Sequence, residues 1–364
     1  MSNPSPAARG NRWGAWALII GTVAIVVIAF GYVGGWLAPH RLTPTRIVNQ
    51  FQANAGTFPG YRRNHAKGVC VSGYFQSSGQ AADYSVAQVF ASNQRTPVVG
   101  RFAIPGSNPY APDGSVPIRS MALRFALDNG QQWRTGMNAM PVFPVSTPQA
   151  FYEQLQAQQP DPATGKPDPN KVAAFFAAHP ETVAFRAWAK TAKPSASFAS
   201  ERYNSLNAFE FVDAHGQRHA VRWSMVPEAV GTADSTVSAN DPDYLAASLQ
   251  QSLSQGELRW HLIVTLAEPG DPTSDATKVW PADRRVFDAG TLVIQSTEPQ
   301  ESGPCRDVNY DPLVLPDGIE ASDDPLLPAR SAAYADSYLR RTSEEAHLPG
   351  TAQTVVKPHS EVKQ

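Results

Sequence analysis

The stretch RRNHAKGVC, residues 62–70, places a histidine at the start of a predicted strand. His65 follows two arginines and precedes Gly68-Val69-Cys70-Val71, a run typical of a strand opening. Imidazole titrates nearer to neutral pH than other side chains, so a fixed histidine can take up a proton and return it. The same segment also suits a histidine that is merely one polar residue near a strand end. The stretch alone leaves both interpretations open.

A second group of candidate residues shares one face of a predicted C-terminal helix. In ARSAAYADSYLRR, Arg330, Tyr334 and Arg341 are spaced i−4, i and i+7. At about 100° per residue they form a stripe about 40° wide, with Arg341 about 10 Å beyond the tyrosine. A guanidinium favours the phenolate, which is an axial ligand of haem iron, and Arg341 would reach a haem propionate. The alternative is an amphipathic helix with an interfacial tyrosine.

Other catalytic signatures are missing from the sequence. It has no Gly-rich phosphate loop, no nucleophile elbow and no His-Glu-x-x-His motif. His215 and His219 have a metal-like spacing, but opposite strand faces would separate their rings, so we interpret HGQRH as a solvated turn. The formal net charge of −2 provides no basic field, and we expect no nucleic-acid partner.

The elements that must position these residues are mainly strands. Alternation of apolar residues predicts strands in GVCVSGYF, PVVGRFAI, SMALRFAL, ELRWHLIVTLA and GTLVIQST. The segment NAFEFVDAHGQRHAVRWSMV is typical of a β-hairpin with its turn at His215-Gly216. Successive hairpins predict an α+β fold built on an antiparallel barrel rather than βαβ units.

Several helices interrupt the strands. Thr147 is a predicted N-cap, followed by Pro148 in the first turn of PQAFYEQLQAQQ. The other predicted helices are TPTRIVNQFQANA, NKVAAFFAAH, PDYLAASLQQSLSQ (ended by Gly256) and LLPARSAAYADSYLRRTSEEA. The chain contains 32 prolines, which favours long ordered loops such as PDPATGKPDPN over a compact helical bundle.

The N-terminal segment has the properties of a membrane span. Trp13–Leu37 contains no charged residue and is long enough to cross a bilayer. Trp36, two positions before Ala38, makes a poor cleavage site for a signal peptidase. Arg9 and Arg12 favour a cytoplasmic N-terminus. We predict an uncleaved single-pass anchor in the inner membrane, with the rest of the chain on the periplasmic side.

The chain contains two cysteines, Cys70 and Cys305. They could be two buried thiols, which behave as small hydrophobic groups. Outside the membrane the compartment is oxidising and they could pair. The predicted location therefore leads us to hypothesise a disulfide between them.

Four motifs, in order along the chain, resemble those of the haem catalases. RNHAKG resembles the distal-histidine motif Arg-x-x-His-Ala-Lys-Gly, and PVVGRFAIPG resembles the strand that follows it. TKVWP with GTLVI, and then DPLVLPDGIEASDDPLLPARSAAYAD, are similar to later catalase segments. GMNAMPVFPVSTPQAF and PGDPTSDATKVWP are typical of the small membrane-anchored or exported branch, the catalase-related peroxidases. The resemblance extends from about residue 42 to 345.

The resemblance implies a role for each matching residue. His65 is implied as the distal acid–base group, Asn138 as the distal amide and Tyr334 as the axial iron ligand, with Arg330 as its partner. The residues that match propionate-binding and haem-stacking positions are Arg62, Arg101, Arg341 and, more loosely, Phe151. The implied cofactor is haem b (iron protoporphyrin IX).

Three departures from the large catalases are visible. Ala103 stands where they have a serine that hydrogen-bonds the distal histidine. One extra residue follows Asn138 before the proline. The long N-terminal arm, the C-terminal extension and a nicotinamide site have no counterpart. These departures favour peroxidase turnover over disproportionation of peroxide.

The expected organisation is a cytoplasmic tail (1–12), a transmembrane helix (13–37), a linker (38–44), a haem domain (45–347) and a disordered tail (348–364). The expected function is reduction of hydrogen peroxide or organic hydroperoxides by small organic donors, with weak catalase activity, in oxidative-stress defence. The alternatives are a lipid-hydroperoxide isomerase of the same fold and a non-catalytic haem-binding periplasmic module.

Overall fold

A computed structural model describes residues 12–34, 37, 41–228 and 241–347. The strands of these residues are β1 (Gly68–Ser77), β2 (Arg95–Ala103), β3 (Ser120–Ala126), β4 (Gln132–Asn138), β5 (Tyr203–Asn204), β6 (Phe209–Val212), β7 (Arg218–Pro227), β8 (Leu258–Leu266), β9 (Val286–Pro299) and β10 (Ile319–Ala321). The helices are α1 (Arg12–Val33), α2 (Pro44–Ala55), α3 (Pro148–Ala157), α4 (Pro169–Ala178), α5 (Val183–Ala189), α6 (Tyr244–Gln255) and α7 (Leu326–His347).

Eight of the strands form a closed antiparallel barrel. Their order is β7-β5-β4-β3-β2-β1-β9-β8, and pairing of β8 with β7 closes the ring. β6 pairs with the first residues of β7, and β10 pairs with the other edge of β6. The barrel has no exposed edge along most of its circumference, because each of its longer strands has a neighbour on both sides.

Alternation along each strand separates the two faces of the barrel wall. In β3, Met121, Leu123 and Phe125 are buried inside, whereas Ala122 and Arg124 lie on the outer face. The interior is filled by large side chains that are at most 1% exposed: Phe75, Phe102, Phe125, Trp133, Trp223 and Trp260. The barrel is therefore a packed core, and a functional site must lie on its outer face or at its ends.

The helices form a layer outside the barrel. α2 packs against α7 and α3, and α3 packs against α4. α3 begins at the predicted cap, where the Thr147 side chain accepts a hydrogen bond from the amide of Ala150. α6 ends at Gly256, as the sequence predicts.

Most predicted elements are confirmed, but three strands were missed: β4 and the short strands β5 and β10. β4, QWRTGMN, contains Gly136 and only two large apolar residues, Trp133 and Met137, so its apolar alternation is weak. Its identity as a strand depends on pairing with β3 over its whole length, from Ser120↔Asn138 to Ala126↔Gln132. The short helix α5 was missed as well.

The predicted hairpin and its turn are confirmed. β6 and β7 pair, and the turn between them contains His215 and Gly216. His215 is exposed, and the ring of His219 is 3.0 Å from a carboxylate oxygen of Asp213.

The N-terminal helix is long and apolar enough to cross a membrane over Trp13–Val33. It ends four residues before the predicted Leu37, and Gly34 follows it. A helix of this length and composition near the N-terminus is shared by membrane anchors and signal sequences. The predicted tail 348–364 and nearly all of the predicted segment 1–12 lie outside the described residues.

Candidate active site

The candidate residues gather on the outer face of the barrel, beneath α7. Gly136 and Asn138 share the outward face of β4, two residues apart. Arg101 and Ala103 alternate with the inward Phe102 on β2. Because strand register aligns these positions laterally, the outward side chains of neighbouring strands form one wall, and α7 forms the opposite one.

His65 sits in a turn that is held from two sides. Its backbone is in the left-handed region, with φ of 55°, which costs free energy for a residue other than glycine. The side-chain oxygen of Asn64 accepts hydrogen bonds from the amides of His65 and Gly106, each 2.9 Å long. The amide of Ala66 donates to the Gly106 carbonyl. These bonds fix the backbone from which the ring projects, in a strained conformation of the kind often found at functional sites.

The same turn is also fastened to α7. The Arg63 guanidinium, 3% exposed, forms an ion pair with Glu344, and the Arg63 amide donates to Ser337 at 3.2 Å. Gly60 donates to a second Glu344 oxygen at 3.1 Å. The position of His65 thus depends on the docking of a helix far along the chain.

The imidazole of His65 is neutral at ordinary pH. Burial, together with the positive charges of Arg101 and Arg330, lowers the pKa of His65 to about 3. Its Nδ1 is buried and has no hydrogen-bond partner among the described residues. Ala103, at the serine position, provides no hydroxyl to it. The ring is therefore a proton acceptor with a free nitrogen.

A row of paired positions crosses the strand ends nearest to His65, and two of these positions carry polar side chains. Strand register places Gly68 beside Ala103, Ala103 beside Ser120, and Ser120 beside Asn138. The Ser120 hydroxyl donates a 2.6 Å hydrogen bond to the side-chain oxygen of Asn138. Since that oxygen is engaged, the amide nitrogen of Asn138 is the group left to donate to a ligand.

A buried polar chain fixes the start of α7 and the direction of Arg330. Asp324 accepts from the amide of Leu326 at 2.9 Å and from the side chain of Asn207 at 2.7 Å. Asn207 in turn accepts a hydrogen bond from Arg330. Arg330 also donates to the main-chain carbonyl of Gly136 at 3.3 Å. Arg330 thereby joins α7 to β4 of the barrel wall.

Tyr334 faces Gly136 across the site. An added Cβ on Gly136 would lie 3.6 Å from the Tyr334 hydroxyl and 3.4 Å from an Arg330 nitrogen. A Cβ there would be in van der Waals contact with both groups, so the glycine lets Tyr334 and Arg330 lie close to the barrel wall. Within the described residues the Tyr334 hydroxyl makes no hydrogen bond, so its oxygen is available to a ligand.

Three arginines cluster at one side of this space. Burial, together with the nearby charge of Arg341, lowers the pKa of Arg62 to about 10. Burial lowers the pKa of Arg101 too, with a smaller contribution from Arg62. Arg101 and Arg341 are 3% and 2% exposed. Three like charges, two of them almost fully buried, are costly without anions, so the cluster suits a ligand with carboxylates.

Mainly carbonyl and amide oxygens hold the three guanidinium groups in place. Arg62 donates to the carbonyls of Cys305, Arg306 and Val308 at 3.0, 3.1 and 3.0 Å. Arg341 donates to the Arg306 carbonyl at 2.5 Å and lies 4.0 Å from a Glu345 oxygen. Arg101 donates to the Ala66 carbonyl and to the side chain of Gln300.

The hypothesised disulfide is confirmed. Cys70 and Cys305 are bonded, and both are fully buried. Cys70 lies on β1, paired in register with Arg101 of β2, whereas Cys305 belongs to the turn whose carbonyls hold Arg62. The bond therefore joins two supports of the arginine cluster.

Phe151 lies apart from the other candidates. Its ring contacts are with Phe51 and Phe143, at 6.0 and 5.7 Å between centroids, in the helical layer around α3. Among the described ring contacts none joins it to Tyr334 or to the arginines.

Sequence reasoning missed the supporting residues of the site. Ser120, Asn207 and Asp324 are polar residues in or beside apolar segments, and each is at most 7% exposed. A buried polar residue is a signal of a hydrogen-bond network, but burial itself is not visible before the fold is known.

Comparison with known proteins agrees with this architecture. The family model described as Catalase matches residues 50–360. A catalase-related peroxidase of Synechococcus elongatus is 38% identical over 91% of this chain and 98% of its own length. One of Mycolicibacterium paratuberculosis is 30% identical over 83% of this chain and 95% of its own length. Catalase A of Saccharomyces cerevisiae has the same fold, with a TM-score of 0.69 at 21% identity over 77% of this chain, which spans 61% of that catalase.

A closed barrel with a tyrosine helix on its outer wall defines the haem-catalase class of fold. The chain belongs to the catalase family. It is accordingly a haem-binding oxidoreductase that acts on peroxide, as the recognised motifs imply.

Proposed function

We propose that the protein is a haem b-dependent peroxidase that reduces hydrogen peroxide and organic hydroperoxides with small organic donors, in defence against oxidative stress. The observation that carries the proposal is His65: a neutral imidazole with an unbonded nitrogen, held on strained backbone opposite the Tyr334 helix. A protein that only carries haem has no need of such a group. Haem, when bound, supplies the iron centre from which peroxide takes two electrons.

The residues of the site fit this cofactor. Tyr334 is proposed as the iron ligand, since its hydroxyl makes no hydrogen bond within the described residues and points toward the barrel wall at Gly136. Arg330 stabilises the phenolate by its charge. Arg62, Arg101 and Arg341 are proposed to bind the two propionates, whose charges relieve the repulsion within the buried cluster. A stacking role for Phe151 stays a prediction.

The barrel wall is proposed to handle the peroxide. His65 takes the proton from one peroxide oxygen and returns it to the other, which leaves as water or alcohol. Asn138, oriented by Ser120, would donate a hydrogen bond from its amide nitrogen to a peroxide oxygen. Ala103 leaves the imidazole without a hydroxyl partner, and this supports donor oxidation over oxygen release as the main turnover.

The location is proposed from two observations. The apolar helix of residues 13–33 suits a single-pass anchor of the inner membrane. The buried disulfide suits an oxidising compartment, so we place the catalytic domain on the periplasmic side. N-terminal sequencing of the membrane-bound protein should return residues before Trp13; a start between residues 37 and 46 would mean a processed, soluble protein.

One experiment tests the activity. The haem-loaded protein is mixed with hydrogen peroxide, and phenol oxidation and oxygen release are recorded together. We expect phenol turnover to equal or exceed oxygen release, and His65→Ala to reduce both. Oxygen release larger by orders of magnitude would identify a catalase. Conversion of a lipid hydroperoxide without any donor would identify an isomerase, and a haem spectrum without turnover would identify a binding module.

A further inference from the structure

An aromatic cluster of Phe58, Tyr61 and Tyr110 lies at the surface beside the arginine cluster. The ring centroids of Tyr61 and Tyr110 are 6.2 Å apart, and those of Phe58 and Tyr110 are 6.0 Å apart. Tyr110 is 70% exposed, whereas the other two rings are partly buried. The cluster thus presents one phenol to solvent and keeps a second one behind it.

Tyr61 connects this surface with the proposed cofactor site. It directly precedes Arg62, and the two residues line the same cavity together with Arg341 and Arg306. Its main-chain carbonyl accepts a 2.8 Å hydrogen bond from Arg63, whose guanidinium is tied to α7. The inner phenol is therefore held next to the groups proposed to bind the propionate edge of the cofactor.

The hydroxyls of the two phenols are close enough to interact, and a carboxylate lies next to the inner one. The hydroxyl of Tyr61 donates to Glu301 at 3.5 Å and interacts with the hydroxyl of Tyr110. Burial and these neighbours raise the pKa of Tyr61 to about 12, so the phenol keeps its proton at ordinary pH. Oxidation of a protonated phenol releases that proton, and Glu301 is positioned to accept it.

We propose that Tyr110 is a surface oxidation site for phenolic donors too bulky to enter the haem pocket, with Tyr61 relaying the electron inward. The proposal rests on the peroxidase function above and adds a class of substrate to it: phenols attached to large molecules. Small phenols need no such route, because they reach the pocket directly.

The electrons and protons balance over two identical steps. In each, Tyr61 gives one electron to the peroxide-oxidised cofactor and its proton to Glu301. Tyr110 then passes a hydrogen atom to the Tyr61 oxygen, and a donor phenol passes one to the Tyr110 oxygen. Glu301 releases its proton to water, which replaces the proton consumed in peroxide reduction. Two donor phenols become phenoxyl radicals for each peroxide reduced.

The test compares one phenol in two forms, free and coupled to a large dextran, as donors to the haem-loaded protein. Tyr110→Phe should lower oxidation of the dextran-linked phenol by about tenfold and leave free phenol unchanged. Tyr61→Phe should do the same. Tyr84→Phe is the matched control, since that partly buried tyrosine stacks on Phe287 outside the cluster. If Tyr110→Phe oxidises the dextran-linked phenol as fast as the wild type does, the proposal is overturned.

A second readout does not depend on turnover. A spin trap added with peroxide and no donor should form an adduct on Tyr110, which mass spectrometry detects, and Tyr61→Phe should remove it. An adduct undiminished in Tyr61→Phe would exclude the relay. If free phenol is not oxidised even by wild type, the peroxidase function itself fails; if only the dextran-linked phenol is inert, this site fails and that function stands.

Discussion

The two walls of the site are built in different ways. The helical wall carries Arg330, Tyr334 and Arg341 on one face of α7, within twelve consecutive residues. The barrel wall takes His65 from a strained turn, Arg101 from β2 and Asn138 from β4. A helix face is produced by a local repeat, whereas the barrel face exists only when distant strands pair in the correct register.

This difference separates the expected roles. A single helix whose start is fixed by Asp324 is suited to hold a cofactor, because its residues move as one unit. The barrel wall offers a proton acceptor and an amide donor at independent positions, and such groups suit the cleavage of a small substrate. Changes in the helical wall should mainly affect haem retention, and changes in the barrel wall should mainly affect rate.

The largest effect is expected from Tyr334→Phe. The ring is kept, but the oxygen proposed to bind iron is lost, so haem should be lost or its absorption spectrum altered. Tyr338→Phe, one turn further along the same helix, is the control and should keep both. Full haem occupancy with an unchanged spectrum in Tyr334→Phe would refute the axial assignment.

His65→Ala should separate the two walls. Haem content should persist, because the helical wall is intact, while the rate of peroxide cleavage should fall by roughly 10²–10⁴. The exposed His215→Ala is the control. Stopped-flow mixing with peroxide and the haem-to-protein ratio are measured on the same samples. Loss of haem in His65→Ala would contradict the division of roles.

Removal of the disulfide should weaken both walls together. It closes a sequence separation of 235 residues and joins β1 to the turn that holds Arg62 and Arg341. The double variant Cys70→Ala, Cys305→Ala should lose about 2–5 kcal/mol of unfolding free energy. Denaturant unfolding measures this free energy. A reductant should lower the unfolding free energy of the wild type and leave that of the double variant unchanged. Two free thiols in the denatured, unreduced wild type would contradict the bond.

Asn207→Ala tests the support of the helical wall. Arg330 would lose its side-chain partner and Asp324 would lose a donor, at a cost of about 1–3 kcal/mol. We expect faster transfer of haem to an apo-globin acceptor, with the initial rate of peroxide cleavage per bound haem largely retained. Arg330→Ala should have the same direction of effect. Unchanged haem transfer in both variants would show that this chain of hydrogen bonds does not support the ligand.

The smallest effect concerns the pH dependence of stability. Because the pKa of His65 is lowered to about 3, the unfolded chain, with its ordinary value near 6.5, takes up the proton first as the pH falls. The stabilisation that comes from keeping His65 neutral is complete above pH 6.5 and is lost as the pH falls toward 3. Between pH 6.5 and 5.5 it costs at most about 1.4 kcal/mol in the haem-free protein. His65→Gln should lack this slope relative to wild type, and equal slopes would contradict the buried neutral imidazole.

The sequence by itself determined the helical wall, most strands and the family. The i−4, i and i+7 spacing around Tyr334 depends only on helix geometry, and the catalase motifs lie in continuous segments, so both are visible without a fold. Thr147 and Gly256 marked helix ends because capping is a local interaction.

Only the tertiary structure decided how the barrel wall is assembled. β4 lacks a strong apolar alternation and becomes a strand by pairing with β3, which is what brings Asn138 beside Ser120. The bond between Cys70 and Cys305, the chain from Asp324 through Asn207 to Arg330, and the placement of Phe151 in the helical layer join residues far apart in sequence. Such contacts depend on strand register and on burial, and both are properties of the folded chain rather than of any short segment of it.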